Sequence, residues 1–492
     1  MDTLQSMALG LQVALQPANL VFCFVGVFVG TLVGVLPGIG PVGAMSLLLP
    51  ATFHLTPVGA IIMLAGIYYG AQYGGSTTSI LVNIPGEASS IVTCLDGYQM
   101  ARNGRAGPAL GMAALGSLIG GTVAIVGLML LAAPLAEAAL AFGPPEYFAL
   151  MCLSLIVLTF LSRSMYRGLM MGLLGLLLSG VGLDMFTSAQ RFTFGLNDLT
   201  DGIGLIPLVM GLFGVAEILL NLEGEMKREI YATRIGALLP TGRDWVVAKW
   251  SVLRGTVLGF FLGILPGGGA VLASFVSYAV EKRVSRYPER FGTGVIEGVA
   301  APETANNAAA QASFIPLLAL GIPPNVVMAV LFGGLLIHGV QPGPLLIQQH
   351  PQLFWGVVAS MFVGNAMLVA LNLPLIGIWV RLLRVPYQIL FPLILLFCVV
   401  GVYSVNNSRV DVYLMVLFGV VGYLMQKLGY EPAPLALAYV LGPIFETALR
   451  QSLTISGGSF AIFFTRPIAG TCMVLVAALI VVQIHSERRR HR

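Results

Sequence analysis

The chain has 492 residues, of which 57% are hydrophobic and only 9% are Asp, Glu, Lys or Arg. A soluble domain carries roughly 25% charged residues, so a soluble protein of this length is excluded and lipid must face most of the exterior. The net charge of +4 sits in short basic clusters between apolar runs, which marks membrane topology and not a nucleic-acid surface. Mean hydropathy is +0.91, and several apolar stretches reach the roughly 18–25 residues that span a bilayer.

In chain order, the N-terminus begins Met-Asp-Thr-Leu-Gln without a basic leader, so the first hydrophobic segment is expected to be retained. Segment 19–50 is too long for one comfortable span and breaks at Pro37-Gly38. Two short half-helices meeting at a glycine tip fit that length. Cys23, Cys94, Cys152, Cys398 and Cys472 have no pairing or metal spacing and read as small core residues.

An internal repeat organises the chain. Val33 to Gly40 recurs as Leu262 to Gly269, with five of eight positions identical and Pro266 standing 229 residues beyond Pro37. At the same offset Ile206 to Leu220 aligns with Leu435 to Leu449, matching Glu217 to Glu446. Asn83-Ile84-Pro85-Gly86 stands opposite Gly321-Ile322-Pro323-Pro324 after a small insertion. The division is residues 1–222, a charged cytoplasmic linker over 223–254, residues 255–450, and a last helix with a basic tail over 451–492.

Loop charge sets the orientation of the halves. The Arg102–Arg105 turn corresponds to His338–His350, and the Lys282–Arg290 loop corresponds to Ala51–Pro57. One member of each pair is basic and the other has no Lys or Arg, so the positive-inside rule predicts inverted repeats. The fold class is all-α and polytopic, with re-entrant or broken helices at 19–50 and 255–280, about 11–12 membrane segments and a cytoplasmic Arg488-Arg489-Arg490 tail.

Enzyme motifs fail: there is no Walker A sequence, no nucleophile elbow and no His-Glu-x-x-His. An intramembrane enzyme on lipid-linked substrates would need an acidic metal motif, and only Glu297 and Glu303 lie close together in the polar segments. A channel would need no duplicated broken helices. Polar residues at membrane depth are costly and usually functional, and three sets stand out. Gly38 and Gly40, with Gly267, Gly268 and Gly269, let backbone unwind and approach a ligand, while the half-helix beyond presents free N–H groups. Ser76, Thr77, Thr78 and Ser79, followed by Asn83 and Glu87, supply neutral donors and acceptors. Glu303, Thr304, Asn306 and Asn307 place a carboxylate and two amides among alanines, with Glu303 and Asn307 on one helical face.

Neither 68–90 nor 294–326 contains Lys or Arg. An anionic ligand there would meet helix N-termini, amides and hydroxyls, and Glu303 would repel it unless neutralised. Substrate is therefore assigned to Gly38, Gly40, Ser76, Thr77, Thr78, Asn83, Gly267 and Gly269, and a coupling Na⁺ or H⁺ to Glu303, Thr304, Asn306 and Asn307. No other cofactor is expected.

These motifs carry a resemblance. Gly34-Val35-Leu36-Pro37-Gly38-Ile39-Gly40-Pro41, Tyr69 to Thr78, Asn83-Ile84-Pro85-Gly86-Glu87-Ala88, Phe142 to Phe148 and Glu303-Thr304-Ala305-Asn306-Asn307-Ala308 resemble the large membrane subunit of the tripartite tricarboxylate transporters. The resemblance implies a bacterial inner-membrane permease working with a small membrane subunit and a periplasmic solute-binding protein. It also implies uptake of citrate-like or other small carboxylates, driven by an ion gradient.

Overall fold

In the computed structural model, residues 3–36, 40–159, 162, 164–223, 238–265, 269–383 and 387–490 are described. Apolar runs with proline or a hydroxyl at their start fold as helices, because in lipid every backbone polar group needs an internal partner. The first half holds α2 (Pro17–Val35), α3 (Gly40–Leu48), α4 (Pro57–Val82), α5 (Thr93–Arg102), α6 (Ala106–Ala139), α7 (Pro144–Thr159), α8 (Met165–Ser179) and α9 (Leu205–Glu223), preceded by α1 (Thr3–Ala14). The second half holds α10 (Gly242–Ile264), α11 (Gly269–Val284), α12 (Glu297–Ala312), α13 (Val326–Ile337), α14 (Pro351–Asn372), α15 (Tyr387–Asn406), α16 (Arg409–Lys427) and α17 (Pro432–Ile455), and α18 (Pro467–Arg490) closes the chain. The fold is an all-α polytopic membrane protein. Among the described residues eight helices are long and apolar enough to cross a bilayer, with four shorter apolar helices beside them.

The broken segments differ from expectation in their first arms. With 19 and 23 residues, α2 and α10 are full-length helices, whereas α3 has only 9 residues and α11 has 16. Residues 37–39 and 266–268, and with them Gly38, Gly267 and Gly268, lie outside the described residues. Each short arm opens on a glycine in the left-handed region, Gly40 at φ 63° and Gly269 at φ 61°, where a Cβ would be strained. Helix α10 starts at Gly242, inside the segment read as a linker.

The tightest packing is backbone on backbone. Gly26, Gly30 and Gly34 of α2 face Met63, Ile67 and Ala71 of α4, and Gly66, Gly70 and Gly74 of α4 return the contact. A Cβ on Gly30 would stand 2.9 Å from the Gly70 Cα. In the second half Gly255, Gly259 and Gly263 of α10 lie against Ala301, Ala305 and Ala309 of α12. Small residues four apart give each helix a flat face.

Contacts between the halves are reciprocal. Helix α6 packs on α12, and its equivalent α14 packs on α4; α8 packs on α17, and its equivalent α16 packs on α9. The equivalent helices α4 and α12 run antiparallel past each other: Ser76 meets Glu303 near the middle, Ile80 and Val299 both adjoin Gly97, and Tyr68 meets Asn325 beyond the far end of α12. Arg105 pairs with Asp244 at 2.5 Å, and Asp96 of α5 accepts from the backbone of Gly292, Gly294 and Val295. The basic turns at 102–105 and 282–290 therefore share one end with the start of α10. His338 Nε2 lies 3.1 Å from Thr52 Oγ1, which puts the two loops without Lys or Arg together at the other end.

A two-stranded hairpin, β1 (Gly182–Leu183) and β2 (Gln190–Arg191), links α8 to α9. The backbone N–H groups of Thr187 and Phe186, with Arg450 of α17, hold the Asp184 carboxyl well below the ordinary carboxylate range.

The glycine faces set a stability test. Gly30→Val should cost at least the roughly 1–3 kcal/mol of an overpacked core, because the colliding atoms are backbone. Gly172→Ala, at a site with nothing within 4 Å, should leave thermal unfolding in detergent unchanged. Equal melting temperatures for both variants would contradict the close-packed interface.

Candidate functional site

Helix α12 is the centre of the site, and its composition explains why. Ten of its sixteen residues are Ala, Gly, Val or Pro, so α4, α6, α10 and α11 all pack against it. Every residue from Gly298 to Ala312 is buried. Pro302, the residue before Glu303, lacks an N–H and so leaves the Gly298 carbonyl without its helical partner.

Glu303 is 0% exposed. Its Oε2 accepts from Ser76 Oγ of α4 at 2.5 Å, and its Oε1 accepts from Thr93 Oγ1 in the first turn of α5. That turn also presents the positive end of a helix dipole. Among the described residues no ion pair joins Glu303: the ion pairs found lie elsewhere. Asn307 Nδ2 donates to Ser117 Oγ of α6 at 2.7 Å, to the Glu303 carbonyl at 3.2 Å and to Asn306 Oδ1 at 3.0 Å. The i, i+4 face predicted for Glu303 and Asn307 thus forms, with the amide on the backbone oxygen and not on the carboxylate.

Several buried polar atoms around this centre have no protein partner: Asn306 Nδ2, Asn307 Oδ1, Thr304 Oγ1, Tyr73 OH and Asn372 Oδ1. Each unmet group costs about 1–3 kcal/mol unless a bound species meets it. A cavity of about 10 Å³ between Tyr73, Ser76, Thr77, Ser117 and Asn372 is at the lower limit for one water molecule. Carboxylate, amide and hydroxyl oxygens are the donor set of a hard cation. The residues present therefore fit a Na⁺ or a proton.

The remaining predicted residues divide. Ser76 and Thr77 lie at the centre. Thr78 Oγ1 donates to the Val35 carbonyl at 2.9 Å, fixing the last turn of α2 beside the glycine tip. Asn83 is exposed and ends α4 at φ 58°, and in the second half Gly321 takes the same left-handed conformation, φ 72°, after the helical turn Pro316–Leu320. Thr304 faces away from Ser76, against Gly116 and Gly120 of α6 and Gly255 of α10. Gly269 adjoins Asn325, whose Oδ1 caps α13 by accepting from Met328 N at 3.0 Å. Gly40 has open space around it.

Thr93, Ser117 and Ser89 are not distinguishable in the sequence from other small polar residues. Only the meeting of α5 and α6 with α12 brings Thr93 and Ser117 to Glu303, from 210 and 186 residues away.

The family model described as the tripartite tricarboxylate transporter TctA family matches residues 20–437. An uncharacterized 52.8 kDa protein in the TAR-I ttuC' 3' region of Agrobacterium vitis is 53% identical over 493 residues, covering all of this chain and 98% of that protein. An uncharacterized protein in the TAR-II ttuC' 3' region of the same organism is 53% identical over 234 residues, covering 47% of this chain and 97% of that protein. No solved structure matches.

The hydroxyl shell gives a second test. Thr93→Val leaves one Glu303 oxygen buried without its donor, a loss of about 1–3 kcal/mol read as a lower unfolding temperature. Thr93→Ser, which keeps the hydroxyl, should lose less. Equal losses would assign Thr93 to packing alone.

Proposed function

Since this chain belongs to the tripartite tricarboxylate transporter TctA family, we propose that it is the large permease subunit of a binding-protein-dependent secondary transporter. It takes tricarboxylates or related small carboxylates across the bacterial inner membrane with a monovalent cation. A small membrane subunit and a periplasmic solute-binding protein work with it. Its two halves are inverted repeats, and the Arg488–Arg490 tail is cytoplasmic.

The observation that carries this reading is Glu303: a wholly buried carboxylate held by Ser76 and Thr93, with no Lys or Arg paired to it among the described residues. Two like charges about 4 Å apart repel by roughly 4 kcal/mol even at an effective dielectric constant of 20. A carboxylate substrate can therefore approach Ser76 and Thr77 only once a cation neutralises Glu303. Asn306 and Asn307 complete that cation's oxygen shell, Thr304 shapes the wall behind it, and the substrate lies between the Ser76–Thr78 turn and the glycines of the two tips. Each ligand then raises the other's affinity by the same factor, which is symport.

Glu303→Gln mimics the neutralised state permanently. A coupling of about 1–3 kcal/mol shifts substrate affinity roughly 5- to 150-fold between cation-rich and cation-poor conditions, and in Glu303→Gln that shift should collapse toward onefold. Uptake measured against Na⁺ at fixed pH, and against pH at fixed Na⁺, decides the matter; wild-type dependence on both axes would sink the assignment. For orientation, single cysteines in a cysteine-free background should be labelled from outside intact cells in the His338–His350 loop. At the Arg102–Arg105 turn labelling should require permeabilisation. Labelling of both from one side would refute the inversion.

A further inference from the structure

A second buried carboxyl lies in the loop between α4 and α5, in a setting that its counterpart in the other half does not share. Glu87 is 8% exposed. Its Oε2 accepts from Ser89 N at 2.6 Å, capping the turn Ala88–Ile91, and its Oε1 has no partner. The loop is held against α2 at Gly34 and against α11, where Ser274 Oγ donates to the Ser89 carbonyl at 2.6 Å.

Three observations separate Glu87 from an ordinary cap. The Ser89 hydroxyl lies 2.6 Å from both Glu87 Oε2 and Gln72 Oε1. A hydroxyl has one proton to give, so one of the two contacts needs a donor on its other side, which is the carboxyl when it carries a proton or Gln72 Nε2 when that amide is turned. Next, no cation pairs with Glu87 among the described residues. The titratable groups facing it are Glu303 of α12, Tyr68 of α4 and Cys94 of α5, while α2 and α11 present Gly34 and Ser274. An unpaired buried charge is strongly disfavoured there. Finally, the second repeat does the same capping with a neutral side chain. Asn325 stands four residues after Gly321 as Glu87 stands four after Asn83, both turns begin at a positive φ, and Asn325 caps α13 through its amide oxygen. The cap needs no ionisable group, so the carboxyl at position 87 is surplus to folding.

We propose that Glu87 is a second coupling carboxyl, which binds one proton and carries it across with each substrate, alongside the cation at Glu303. Gln72 joins the two sites, since its backbone carbonyl accepts from Ser76 and its side-chain oxygen from Ser89. The balance is simple: the Glu87 carboxylate gains a proton from the side of substrate entry and gives it up on the other. The proposal rests on the uptake reading above and adds one positive charge per cycle to it.

Infrared spectroscopy of the full-length protein in lipid at neutral pH tests the proton directly. A protonated-carboxyl carbonyl band that shifts in heavy water should be present in the wild type, absent in Glu87→Gln and retained in Glu303→Gln. Glu87→Asn, which copies the cap of the second repeat, should lose the same band. If Glu87→Gln and Glu87→Asn both keep every such band, the proposal is overturned. In proteoliposomes with labelled citrate as the probe, the proton-to-citrate ratio at gradient balance should fall by one in Glu87→Gln, and an unchanged ratio overturns the coupling role. Failure of the uptake reading shows separately, as unaltered ion dependence in Glu303→Gln with the infrared result intact.

Discussion

The close approach of α2 to α4, and of α10 to α12, is the constraint on which the rest of the molecule depends. Lipid tails are as apolar as leucine, so burial of apolar surface gives no drive for helices to associate there. Contact has to come from van der Waals fit, and glycine at four-residue spacing provides it by removing every side chain from the shared face. The same approach fixes the ends of α2 and α10, at Val35 and Ile264. Thr78 on the Val35 carbonyl, and Ser313 on the Gly263 carbonyl at 3.2 Å, then tie down their last turns.

Close packing also dries the polar residues. Helices α4 and α12 are buried along nearly their whole length, so Ser76, Asn307 and Glu303 face one another across an interior with almost no free volume. A charge in such a place is tolerated only if something neutralises it. Structural tightness and the lack of water to screen Glu303 are thus two consequences of one arrangement.

The two halves share a scaffold but not a chemistry. Equivalent helices make equivalent contacts with partners exchanged, and the left-handed turns at Asn83 and Gly321 match. Yet α4 carries no carboxylate where α12 carries Glu303, and the caps at 87 and 325 are acidic in one half and neutral in the other.

The sequence by itself determined the membrane class, the repeat and its offset, the polar segments and the family, because each rests on composition or on motifs local to the chain. Hydropathy reports the solvent, and a repeated Leu-Pro-Gly reports a repeated backbone break. The glycine ladders are also legible as spacing in α2, α4 and α10, but spacing does not say which helix lies opposite. Only the tertiary structure decided that Glu303 meets Ser76 and Thr93, that Asn83 stands apart on the surface, and that Thr304 turns to α6 and α10. The Glu303 contacts depend on how helices 227 and 210 residues apart are rotated against each other, and those of Thr304 on how α12 turns against α6 and α10. A serine or threonine gives no local sign of which neighbour its hydroxyl will find.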